Sequence, residues 1–250
     1  MRRSTTLWST EWTGLPTALQ QTLCSIVQAL EDKDASGPGH SARVAAFGAR
    51  LAQSTGLSPA DIQVFMFASF LHDIGKIAVS DVILQKRGPL SAAEYLAVQV
   101  HPLAGAHLLR PLLHDAEPRI LDVVLYHHER FDGKGYPHGV AGTSIPLWAR
   151  ICSIADAWDV MTTVRPYRPR LSLEEALDEL HRCSGTQFDP ELVTLFVDTV
   201  VPDITATVNN QLGLALAEVA GEPPNPGDRE NPAGGGVAAR GGGGIAARGE

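Results

Sequence analysis

Residues 60–73 read ADIQVFMFASFLHD. Residues 60–72 are apolar almost all the way round, which fits a helix buried at the centre of a domain. It runs directly into His72 and Asp73. Neighbouring residues on a helix point about 100° apart, so the pair cannot share one apolar interface. An unpaired buried carboxylate is very costly, so one of the two requires a polar or metallic partner. A carboxylate there can bridge two metal ions with its two oxygens. The plainer alternative is a capped helix end with a hydrogen-bonded His–Asp pair.

On the N-terminal side, apolar positions recur at helical spacing from Leu15 to Leu30 (Leu19, Leu23, Ile26, Val27, Leu30), and a second helix is expected over Ser41–Ser54, ended by Gly56. On the C-terminal side, Ser91 to Glu94 has the form of a capping box with a helix to follow. Pro102 predicts a break or kink beside His101. Residues 117–128, 147–163, 173–183 and 189–200 also read as helices, and a short strand pairing is open near 77–84. The expected fold is all-α: one compact multi-helix bundle over 15–213, after a loose lead-in over 1–14. From 214 to 250 Gly, Pro, Ala and Arg dominate and "AARG" repeats. That segment has too little apolar surface to offset ordering entropy, so disorder is expected.

The chain of 250 residues is 44% hydrophobic and carries a net charge of −8. Its acidity argues against a coat for nucleic-acid polymers, which need a basic face, but not against a small anionic ligand in a locally cationic pocket. No apolar run approaches the about 20 residues of a membrane-spanning helix. The N-terminus lacks the apolar stretch of a signal peptide, so the cytoplasm is the expected compartment. Cys24, Cys152 and Cys183 form no CxxC pair and read as reduced thiols.

Residues of ligand type occur in series: His40, His72-Asp73, His101, His127-His128 and Asp156. Imidazole and carboxylate are the groups that hold divalent first-row metals, and helices can bring such groups together inside a bundle. The pair His127-His128 follows the apolar residues Ile120, Val123 and Val124 and leads into "ERFDGKGYPHG". That loop contains Gly133, Gly135 and Gly139 to permit unusual backbone angles and Pro137 to fix its shape. Asp159, nearly one turn after Asp156, is expected to orient a neighbour. His107, His114, His138 and His181 match no ligand position, and Trp148 and Trp158 are expected in the core.

In order, "GHSARV", "FLHDIGKI", "HPLAGAHLL", "YHHERFDGKGYPHG", "IPLWARICSIADAWDVMTTVRPYR" and "GTQFDPELV" resemble the successive motifs of the HD-GYP domain. This is a bacterial branch of the HD-superfamily phosphohydrolases associated with cyclic di-GMP breakdown in signal transduction. The resemblance spans about 34–196. It implies a centre of two divalent ions, Fe or Mn, with Asp73 bridging. His40, His72 and Asp156 would hold one ion, and His101 and His127 the other, with His128 an additional ligand. Members with three metals have a Glu four residues before the first His; here Ser36 stands there, which implies two.

Two neighbouring metals lower the pKa of a shared water from 15.7 toward about 7 and take up charge on phosphate oxygens, so a hydroxide nucleophile is available at neutral pH. Lys76 would share the face of His72 if the helix continued, and the resemblance makes it a contact of the scissile phosphate. Arg165 and Arg168 suit phosphate or guanine, although Pro169 replaces a lysine usual in the family. Tyr136 of the GYP loop is expected to wall the substrate site rather than do chemistry. The implied activity is hydrolysis of cyclic di-GMP to pGpG, with further cleavage to GMP open. The alternatives are another cyclic dinucleotide, or a non-catalytic signalling module that binds protein partners through the GYP loop. Homodimer formation stays open.

Overall fold

The computed structural model describes residues 15–34, 37–113, 118–164 and 170–206. The lead-in over 1–14, Ser36, His114, Arg165, Arg168, Pro169 and the tail over 214–250 lie outside the described residues. The chain clusters into one unit up to Ile204 and a second from Thr205 on. Of the second, only Thr205 and Ala206 are described.

Ten α-helices follow one another among the described residues: α1 Thr17–Glu31, α2 His40–Ser54, α3 Pro59–Phe70, the single turn α4 Asp81–Leu84, α5 Ala92–Val98, α6 His101–Leu113, α7 Arg119–Tyr126, α8 Leu147–Thr162, α9 Leu173–Cys183 and α10 Pro190–Leu195. Two 3₁₀ turns, Ile74–Ala78 and Gly142–Ser144, interrupt the series, and a π-helical turn, Phe196–Val200, continues α10. No strand occurs among the described residues, only an isolated bridge between Ser184 and Phe188. No described helix is long and apolar enough to cross a membrane.

The sequence of α3 makes it the centre. Ser58 caps it by accepting a hydrogen bond from the Asp61 nitrogen, and Pro59 occupies its first turn, where no backbone donor is needed. Val64, Phe65, Phe67, Ala68 and Phe70 are buried, and the helix packs against α2 and α7. Burial of each such large side chain contributes about 1.5–3 kcal/mol. Helix α8 lies against α2 and α7 and brings Trp148 and Trp158 into the same core. Phe65 meets Trp148 edge-on at 5.9 Å, and Trp158 meets Phe196 at 5.2 Å.

The capping box of Ser91 and Glu94 is formed, and α5 follows it. The break expected at Pro102 lies at Gln99–Val100, so His101 opens α6 rather than interrupting it. The strand pairing open near 77–84 is not formed. Here the backbone satisfies itself locally: the Val79 nitrogen donates to the Lys76 carbonyl and the Ile83 nitrogen to the Ser80 carbonyl. A stretch whose donors are paired within three residues has no ladder to offer a partner strand.

Candidate metal centre

The 3₁₀ turn that follows α3 packs tightly on α6. A methyl group on Gly75 would lie 1.9 Å from the His101 carbonyl oxygen and 2.4 Å from the Gly105 nitrogen. Only glycine permits this approach, and it brings Asp73 within reach of His101. The ligand series then converges from five elements. His40 opens α2, His72 and Asp73 link α3 to the turn, His101 opens α6, His127 and His128 follow α7, and Asp156 lies in α8.

Two groups result. Ligand atoms of His40, His72 and Asp156 lie within 4.8 Å of one another, as do those of Asp73, His101, His127 and His128. Asp73 faces both. Its Oδ2 is 3.2 Å from His72 Nε2 and 3.9 Å from His40 Nε2, while its Oδ1 is 3.3 Å from His101 Nε2 and 3.9 Å from His127 Nε2. One oxygen serves each group.

Four imidazoles are oriented alike. His72 Nδ1 donates to the Ser69 carbonyl at 2.7 Å, His101 Nδ1 to Val98 at 2.8 Å, and His127 Nδ1 to Val124 at 3.0 Å. His40 Nδ1 donates to Asp159 Oδ2 at 2.8 Å. Each such bond turns Nε2 toward the interior, the arrangement by which an outer partner fixes a metal-binding imidazole. The Nε2 atoms of His101 and His127 lie only 3.2 Å apart. His72 Nε2 and Asp73 Oδ1 are buried without a hydrogen-bond partner. Facing lone pairs and orphaned buried acceptors are costly unless a cation joins them, so this donor set fits divalent metal.

Charge divides the two groups. Burial works against the charged form of His40, but hydrogen bonds to Asp156 and Asp159 outweigh it and raise its pKa to about 9. His72 is raised as well: burial is the largest single influence and lowers it, but the charge and hydrogen bond of Asp73 together with the charge of Asp156 outweigh it. In the other group burial dominates: His101 is lowered, His127 falls well below the ordinary range, and His128 falls to about 3. Asp73 stays ionised, its burial outweighed by Lys76 and His72, and Asp156 stays ionised beside His40.

Lys76 differs from its expected placement. Helix α3 ends at Phe70, so Lys76 shares the 3₁₀ turn with Asp73 rather than a helix face with His72. Its Nζ lies 2.7 Å from Asp73 Oδ2 and 2.6 Å from Asp34 Oδ2. The two carboxylates outweigh burial and hold the ammonium charged.

Asp159, expected to orient a neighbour, holds His40 and is itself gripped by Arg43 through Nε and one terminal nitrogen. Arg43, Asp34, Glu31 and Glu129 escaped the sequence reading. Glu31 of α1 accepts hydrogen bonds from the backbone nitrogens of Gly39 (2.7 Å) and Ser41 (2.6 Å), which caps the helix that His40 opens. The sole local hint was a carboxylate before a glycine-led helix start. Among the histidines that match no ligand position, His107, His138 and His181 are described and belong to neither group.

A cavity of about 620 Å³ opens beside the centre, with His127, His128 and Asp156 on its wall and Val160, Met161, Leu171 and Phe188 among its apolar lining. Tyr136 stacks on His128 at 4.8 Å and 29°.

The profile of the HD domain family matches residues 25–192. Over 178 residues the chain is 35% identical to the cyclic di-GMP phosphodiesterase response regulator RpfG of Xanthomonas campestris, covering 70% of this chain and 46% of that protein. Over 174 residues it is 34% identical to the 3′3′-cGAMP-specific phosphodiesterase 2 of Vibrio cholerae, covering 70% of this chain and 33% of that one. The chain thus spans between a third and a half of the length of these relatives. Among solved structures, the cyclic GMP-AMP specific phosphodiesterase V-cGAP3 of V. cholerae shares the fold at a TM-score of 0.55 and 22% identity, covering 72% of this chain and 48% of that one. With its successive motifs from GHSARV to GTQFDPELV, the chain belongs to the HD domain family, in the HD-GYP branch.

Proposed function

We propose that the protein is a metal-dependent phosphodiesterase that opens cyclic di-GMP to linear pGpG, with GMP as the product of a second cut. The observation that carries this reading is Asp73, one oxygen turned to each imidazole group. His40, His72 and Asp156 hold one ion in this reading, and His101 and His127 the other, with His128 beside them. Five imidazoles with two carboxylates suit Fe or Mn. Bound there, such ions supply a water of lowered pKa and neutralise charge on the phosphate oxygens.

The chain's own residues do the rest. A water oxygen attacks phosphorus as it gives up one proton to solvent, the P–O bond to the ribose 3′ oxygen breaks, and that oxygen takes a proton. In this reading Lys76, whose Nζ bonds Asp73 and Asp34, meets the phosphate and supplies that proton, which solvent then restores. The adjoining cavity falls within the about 300–1,000 Å³ of small-molecule sites, and its apolar walls suit purine faces. Arg165 and Arg168 serve as further contacts to phosphate or guanine, and Tyr136 walls the site.

A second substrate is favoured by a specific likeness: one relative is named for 3′3′-cGAMP. Protein partners docking on the GYP loop, and a homodimer, belong to the same reading as regulatory additions. The test is chromatography of cyclic di-GMP, and in parallel 3′3′-cGAMP, incubated with protein loaded anaerobically with Fe(II) or with Mn(II). Metal-free protein and the His72→Ala and Asp73→Ala variants are the controls. Metal-dependent pGpG or GMP, lost in both variants, is the expected result. Intact dinucleotides with two ions bound would overturn the reading in favour of a signalling module.

A further inference from the structure

His128 stands apart from the other imidazoles. Among the described residues its ring has no hydrogen bond to a carbonyl or carboxylate, whereas the four others each have one. Its plane is set by aromatic packing instead: Tyr136 stacked at 4.8 Å, with the His101 ring edge-on at 4.9 Å. Tyr136 in turn belongs to a loop pinned to the backbone that carries His128. Its nitrogen donates to the His128 carbonyl at 3.2 Å. A methyl group on Gly135 would lie 2.3 Å from the Arg130 nitrogen and 2.6 Å from the His128 oxygen, so the loop lies directly on that segment.

The clamp that closes this loop is Glu129. It is 3% exposed, and its Oε1 accepts from the backbone nitrogens of His138 at 2.6 Å and Gly139 at 3.1 Å, just beyond Tyr136-Pro137. Oε2 has no partner among the described residues, so Oε1 alone carries the clamp. Bonds from backbone N–H to a carboxylate are shorter and stronger than neutral ones.

We propose that Glu129 is a positioning residue for the imidazole group of the metal centre: it holds the GYP loop closed so that Tyr136 fixes the ring of His128. This rests on the proposed metal centre. The loop thereby does for His128 what a carbonyl or carboxylate does for the other four imidazoles. Outer partners of this kind change metal affinity by about 10–100-fold when removed.

The test titrates metal-free protein with Mn(II) alone, by calorimetry and by electron paramagnetic resonance, and compares the unsubstituted chain with E129A, E129Q, Y136A and the E129A/Y136A double variant. Thermal melts monitor folding. The expected result is that E129A weakens one of two Mn(II) equivalents about tenfold and leaves the other unchanged. E129Q, which keeps an acceptor oxygen, stays nearer the unsubstituted chain than E129A does. Y136A matches E129A, and the double variant is no weaker than either single one, as expected when one residue acts through the other.

Equal weakening of both equivalents, E129Q as weak as E129A, or additive losses in the double variant would each overturn the proposal. So would unchanged binding by E129A. If the unsubstituted chain takes up no second Mn(II), the failure lies in the proposed centre itself.

Discussion

The two halves of the centre contain similar imidazoles held by different means. His40, His72 and Asp156 sit among carboxylates, and without metal this half attracts protons. His101, His127 and His128 sit among one another, and burial keeps them neutral. A cation entering the first half must displace a proton; one entering the second finds lone pairs waiting. The same side chain is thus tuned in opposite directions across the few ångströms that Asp73 spans.

The largest break in this comparison is expected from Gly75→Ala. Its methyl group collides with backbone, which cannot rotate away, so the 3₁₀ turn must part from α6 and Asp73 from His101. A displacement of about 1 Å costs on the order of 10²-fold in turnover. The carboxylate-rich half, built on α2, α3 and α8, should still take up one Mn(II) while the imidazole half loses its ion. Two ions bound as before would mean that the backbone contact does not set the spacing.

A smaller effect is expected from Asp159→Asn, which weakens the hold on His40 and leaves Arg43 without its anion. Mn(II) affinity in the first half should drop about 10–100-fold, with the second half unchanged. Equal losses in both would erase the distinction drawn here.

The smallest effect concerns the metal-free protein and pH. His40 has a folded pKa near 9, above its ordinary 6.5, so its stabilisation is complete below about 6.5 and is lost as pH rises through 9. His128 has a folded pKa near 3, so the unfolded chain binds its proton more readily, and stability is lost as pH falls from 6.5 toward 3. The depressed carboxylates Asp73 and Asp156 act in the same acid direction. The melting temperature of metal-free protein should therefore peak near pH 6.5. A flat profile from pH 6.5 to 9 would show that His40 is not held as a cation.

Much of this arrangement was legible in the sequence, because the chemistry lies where local pattern speaks. The apolar run of α3 ending in His72-Asp73, the spacing of Ile120, Val123 and Val124 before His127, and the capping box at Ser91 are each decided by residues within a few positions. What escaped is non-local or depends on helix ends. The face of Lys76 hung on whether the helix continued, and nothing in "LHDIGKI" announces that the α-helix stops at Phe70 and a 3₁₀ turn follows. Residues 77–84 invited a strand pairing because Ile77, Val79, Val82 and Ile83 suit one, although their backbone bonds close within short turns. The grip of Arg43 on Asp159 joins positions 116 residues apart, a separation over which no periodicity speaks.

The cap formed by Glu31 bears on where this unit can be cut. The recognisable motifs begin at about Asp34, yet the start of α2, and with it the backbone of His40, is tied to a carboxylate three residues earlier on α1. A fragment trimmed to the motifs would keep every candidate ligand and still leave Gly39 and Ser41 with unanswered donors. The smallest autonomous piece is therefore set by a helix that contributes no ligand at all, and a protease nick between α1 and α2 should loosen the first half of the centre before the second.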